Sequence, residues 1–191
     1  MNAPVSSRSA PPHGLASLAD LAILSGLCIV LAFAFVWQLS RYELPCPLCL
    51  LQRVAFCMAG VGPILNLRYG QARRHDAMTV LSALAGAFVA ARQVLLHIQP
   101  GDPGYGGTFL GLHFYTLAFI CFVVLIAAVA VKSCLGYRTA ETMMPRPVGW
   151  LIGGVCGAFV VLVFGNMAST MLECGFGQCA DNPVSYLWLN R

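Results

Sequence analysis

The stretch "LPCPLCLLQRVAFCMAGVGPILNL", Leu44 to Leu67, decides the architecture. It is apolar almost throughout and close to the roughly 20 residues a helix needs to cross a bilayer. Comparable runs cover residues 15–39, 77–98, 111–131 and 148–172. The chain as a whole is 59% hydrophobic and 9% charged, against about 45–50% and about 25% in soluble proteins. This predicts an all-α membrane protein with five transmembrane helices. Residues 1–14 are left as a disordered tail, 15–172 as the membrane bundle and 173–191 as a C-terminal tail. The spans and their short links must therefore carry any function.

The net charge of +4 fits topology better than nucleic acid, which is not expected as a partner. Arg8, Arg68, Arg73, Arg74, Lys132, Arg138 and Arg146 fall on one side of a five-span arrangement, and only Arg41 and Arg191 on the other. The positive-inside rule then makes the N-terminus cytoplasmic and the C-terminal tail external. The first apolar run, about 25 residues, exceeds the 7–15 of a signal-peptide core, so it reads as a span. Trp37, Tyr42, Trp150, Tyr186 and Trp188 sit near the predicted interfaces as ordinary aromatic anchors. The run Gly153 to Gly157 reads as a site of close helix packing. His13 and His75 read as cytoplasmic surface residues.

Nine cysteines divide by position. Cys28, Cys57, Cys121 and Cys156 lie within spans and Cys134 at a span end, where a cysteine behaves as a small hydrophobe. Cys46 and Cys49 open the second span on the external side, and Cys174 and Cys179 follow the fifth on the same side. An oxidising face favours disulfides, and positions three apart on a helical turn have Cα atoms about 5 Å apart, within disulfide range. Gly175 and Gly177 loosen the backbone of "ECGFGQC" enough to close a short ring. Pro47 suits a first helical turn, so Cys46 and Cys49 are expected at a helix N-terminus, where the dipole favours the thiolate. Arg53, four residues beyond Cys49, shares its helix face and is the arginine expected to stabilise a thiolate or a polar ligand group. Arg92 and His97 end the third span on the same external side, His97 at a depth similar to Arg53.

Taken together, "LPCPLCLLQR", "ARQVLLH" and "FLGLHFYTLAF" resemble the bacterial inner-membrane DsbB family of disulfide-bond formation proteins, which are thiol:quinone oxidoreductases. The resemblance runs over residues 15–131 and implies a four-helix bundle, here with a fifth helix added. It implies a ubiquinone or menaquinone near the first pair, with Cys49 facing it and Cys46 exchanging with a second pair. Arg53 would be the quinone-site arginine, with His97 and Arg92 as further quinone-binding candidates. The implied partner is a DsbA-like periplasmic thioredoxin-fold protein. The chain departs from the family pattern in one respect. The family's second pair lies in a long link between the third and fourth spans, which here is short and cysteine-free. The tail pair Cys174 and Cys179 is expected to take its place. Competing readings are a four-cysteine metal site, a transporter or assembly subunit with structural disulfides, and an enzyme like vitamin K epoxide reductase.

Overall fold

The computed structural model describes residues 14–134 and 146–189. Arg8, His13, Arg138, Arg191, the side chain of Arg146 and the expected disordered tail before Gly14 lie outside the described residues. The helices are α1 (Leu15–Arg41), α2 (Pro47–Ala59), α3 (Val61–Tyr69), α4 (Arg73–Leu96), α5 (Phe114–Cys134) and α6 (Arg146–Cys174). A two-residue hairpin of β1 (Thr108–Phe109) and β2 (Leu112–His113) precedes α5. Because α2 and α3 run on as Pro47–Tyr69, five rods among the described residues are long and apolar enough to cross a membrane. α4 packs mainly on α2 and α5, and α6 lies against α1.

The second rod breaks at Gly60 for a local reason. Pro63 has no N–H with which to bond the Ala59 carbonyl four residues back, and inside a membrane that carbonyl needs another donor. Thr79 Oγ1 of α4 supplies it at 3.1 Å. Gly60 also makes room for a neighbour, since a Cβ there would land in the Phe159 ring of α6. Gly86 does the same for Phe122, which stacks on Phe56 with centroids 3.9 Å apart. Leu24, Leu27 and Leu31 of α1 complete the buried core around these rings.

The glycines of the Gly153–Gly157 run do not pack closely. An added Cβ at Gly153, Gly154 or Gly157 would meet nothing within 4 Å, because α6 joins the core through Ile152, Val155, Cys156 and Phe159 instead. A pattern of small residues does not reveal which face meets protein.

At the end of the bundle away from the cysteine pairs, Lys132 Nζ lies 2.6 Å from both Asp20 Oδ1 and Asp76 Oδ1. Asn66 Nδ2 donates to the same two carboxylates, and Gln71 Nε2 donates to Asp20 at 2.6 Å. His75 is buried here, its Nδ1 2.9 Å from Asn66 Oδ1, so it is not the surface residue its position suggested. The network ties α1, α3, α4 and α5 with charges removed from water. Removing one partner of such a set costs about 3–5 kcal/mol, because the remaining charges stay buried. Lys132→Met should therefore lower the thermal unfolding midpoint in detergent markedly, and adding Asp20→Asn to it should recover part of the loss.

Candidate active site

α2 begins as its sequence directs. Leu44 to Cys46 are buried and non-helical, Pro47 occupies the first turn, and Cys46 is the N-cap, its Sγ accepting the Cys49 N–H at 3.1 Å. Cys46 and Cys49 form a disulfide with Cα atoms 5.0 Å apart. Cys174 and Cys179 form a second, with Cα atoms 4.6 Å apart. Each pair closes on itself. The two cysteines of a pair differ in exposure: Cys46 is 6% exposed and Cys174 5%, while Cys49 and Cys179 are half-buried.

Cys49 lines a cavity of about 410 Å³ between α1, α2 and α5. Most of its wall is apolar, including Ile29, Phe33, Phe56 and Leu117, and its polar groups include Gln38, Gln52 and Arg53. Leu44, from the link between α1 and α2, and Tyr105 and Phe109, from the segment between α4 and α5, also contribute. This donor set suits a ligand with a small polar head and a long apolar body, and so fits a quinone.

Arg53 is bound largely by the protein. Nη1 donates to Gln38 Oε1 at 2.6 Å and to Asn166 Oδ1 at 3.4 Å, and Nη2 to the Ala34 carbonyl at 3.1 Å. Gln38, 2% exposed, passes the connection outward: its Nε2 donates to Ser169 Oγ at 3.0 Å and to Tyr186 Oη at 2.8 Å. The tail folds back over the end of α6, where the Trp188 N–H bonds the Leu172 carbonyl at 3.1 Å and the Trp188 ring meets Phe176 edge-on. Gly175, with φ of +62°, makes the reversal.

His97 and Arg92 lie apart from this centre. The His97 Nδ1 is 3.1 Å from Asp102 Oδ2, and its ring stacks at 5.6 Å on Tyr115, a cavity-lining residue. His97 is thus one ring removed from the cavity. Arg92 is exposed and does not line it. Beside the first pair sits a residue that the sequence reading passed over: Gln93 of α4, whose Nε2 is 3.2 Å from Cys46 Sγ and 3.6 Å from Cys49 Sγ. Its signal was a glutamine in an apolar helix, a placement that needs partners inside the bundle.

The sequence profile of the family "Disulfide bond formation protein DsbB" matches residues 17–106. A Burkholderia lata relative, "Disulfide bond formation protein B 1", is 35% identical over 182 residues, which are 90% of this chain and 89% of the relative. The chain belongs to the DsbB family. It is accordingly a multi-pass membrane protein of disulfide bond formation, an oxidoreductase. Other relatives match more locally. "Disulfide bond formation protein B" of an Azoarcus species is 34% identical over 86 residues, 43% of this chain and 52% of the relative. The Nitrosomonas europaea protein of the same name is 36% identical over 72 residues, 35% of this chain and 43% of the relative. The chain thus spans about half the length of these two relatives. No solved structure matches it.

At the end of the bundle that carries the cysteine pairs, the DsbB-family core is closed by its links. Tyr105 Oη donates to the Leu44 carbonyl at 2.9 Å, and Glu43 Oε2 accepts from Trp37 Nε1 and the Gly107 N–H. Burial pushes the Tyr105 phenol up, with the Glu173 and Glu43 charges adding to it. The Asp102 carboxyl is held below its ordinary value, first by the Gly104 N–H at 2.8 Å and then by His97.

Two outcomes are expected. A depressed carboxylate holds its contacts above its unfolded pKa and loses them as pH falls through the lower folded value. The turn at Asp102 should thus be intact at neutral pH and open only below the usual carboxylate pKa of about 3.9, read as lost hydrogen-exchange protection at Gly104. Gln38→Leu should remove the shortest of the Arg53 bonds and the Gln38 bonds to Ser169 and Tyr186 together. At about 1–3 kcal/mol for a buried polar group left without a partner, the tail should exchange its amides faster and the melting midpoint should fall.

Proposed function

We propose that this chain is a thiol:quinone oxidoreductase of the bacterial inner membrane, with its N-terminus cytoplasmic and its C-terminus periplasmic. It reoxidises a DsbA-like periplasmic thioredoxin-fold protein and delivers the electrons to ubiquinone or menaquinone. The observation that carries the reading is Cys49 in the wall of a largely apolar cavity that Arg53 also lines.

The chain's own steps are disulfide exchanges, each needing a thiolate and a reachable sulfur. A partner thiolate attacks the tail disulfide at Cys179, its more accessible cysteine, and Cys174 leaves with the electron pair. The partner's second thiolate resolves the mixed disulfide, leaving a reduced tail pair. A tail thiolate then forms a bond to Cys46 as the Cys46–Cys49 bond breaks and Cys49 takes the charge at the cavity wall; the second tail thiolate displaces Cys46, which re-forms the tail disulfide and leaves the first pair reduced. Because Cys46 is buried, this exchange requires the tail or the external links to move. Gln52 and Arg53 would hold the polar head of the quinone, and Ile29, Phe33 and Leu117 its apolar body. A quinone held there would supply the sink for the two electrons and two protons given up as the Cys46–Cys49 bond re-forms.

The test is anaerobic quinone reduction by the purified protein with a pre-reduced periplasmic dithiol protein as donor. Wild type should turn over, and Cys49→Ser and Cys174→Ser should each stop. Normal turnover in Cys174→Ser would make the tail pair structural, and an inert wild type would remove the oxidoreductase assignment at this cavity.

A further inference from the structure

We propose that Gln93 is a catalytic residue of the Cys46–Cys49 pair, its side-chain amide holding the negative charge released when that disulfide opens. The proposal rests on the reading of Cys46 and Cys49 as the redox pair. Gln93 is 1% exposed, and its amide is pinned, because Oε1 accepts Gln52 Nε2 at 2.8 Å. With the oxygen taken by Gln52, the NH₂ group faces the two sulfurs at 3.2 and 3.6 Å.

A disulfide sulfur is a weak acceptor, whereas hydrogen bonds to an ionised acceptor are roughly twice as strong as neutral ones. The Gln93 contact is therefore worth more after the pair opens than before, which is the condition for an interaction to favour the reaction and not merely the resting fold. In the step itself an attacking thiolate forms one S–S bond, the Cys46–Cys49 bond breaks, and the electron pair stays on the departing sulfur. No proton or external oxidant is needed. The amide reaches either sulfur, so it serves whichever one leaves. On Cys46 it acts together with the Cys49 N–H, 3.1 Å away, and with the N-terminus of α2. By stabilising the reduced, charged form it makes the pair a stronger oxidant.

The experiment equilibrates full-length protein carrying Cys174→Ser and Cys179→Ser with glutathione buffers, so that only the first pair cycles. Each pair reduced consumes two glutathiones and yields one oxidised glutathione. Gln93→Leu should shift the equilibrium constant about tenfold toward the disulfide, equivalent to about 30 mV, and move the pH profile of Cys46 and Cys49 alkylation upward. Gln93→His, which keeps an N–H donor, should recover most of both. Should Gln93→Leu fail to fold, Gln52→Leu carries the test, with a smaller shift in the same direction because the amide is then free to turn. An unchanged constant and pH profile in a folded Gln93→Leu, or equal shifts for the leucine and histidine variants, would overturn the proposal. If the shift appears while wild type reduces no quinone, Gln93 keeps its role and the quinone assignment falls.

Discussion

A guanidinium placed inside a hydrocarbon layer has to be solvated by protein, and the half of this molecule that carries the cysteine pairs is arranged around that demand. Arg53 cannot be satisfied by its own helix. It takes a carbonyl and an amide from α1 and a second amide from α6, so three helices must converge at one depth. The second amide comes from Asn166 on a helix that otherwise packs sparsely, which gives α6 a fixed position against α1. Through Gln38 the same charge also fixes Tyr186, and with it the tail that carries Cys174 and Cys179.

The opposite end is held by another buried charge set, centred on Lys132, Asp20 and Asp76. The two sets divide the labour. The one at the Lys132 end is held by mutual bonds among charged and amide side chains, which suits a clamp. The one at Arg53 borders an apolar cavity and a disulfide, which suits a site where charge appears and disappears. Between them the core is rings set against glycine, Phe159 on Gly60 and Phe122 on Gly86, a packing mode open to helices that have no hydrophobic force to draw them together in lipid.

Much of this was legible in the sequence, because a bilayer imposes length and composition on anything that crosses it. The five spans, the helix start at Cys46 and the closeness of each cysteine pair all follow from local rules. What could not be read depended on helix azimuth and on partners distant in the chain. Gly153, Gly154 and Gly157 form as good a small-residue pattern as any, yet they face outward, while the isolated Gly60 and Gly86 do the packing. His75 lies beside charged residues typical of a membrane surface, yet Asn66 draws it inward. Asp20 sits within the first apolar run, and the approach of Lys132 from more than a hundred residues away, with Asn66 and Gln71 donating beside it, explains how it is tolerated. Arg53 was visible because a charge in a span is conspicuous. Gln93 was not, because an uncharged amide leaves the hydropathy of its helix almost unchanged.

The order of the two cysteine pairs along the chain also has a consequence for biosynthesis. Cys46 precedes Cys174 by 128 positions. At translation rates of about 5–20 residues per second, Cys46 and Cys49 are made roughly 6–26 seconds before the tail cysteines exist. For that interval the first pair has neither tail cysteine to meet, so a crossed bond between the two sets can form only later, by exchange.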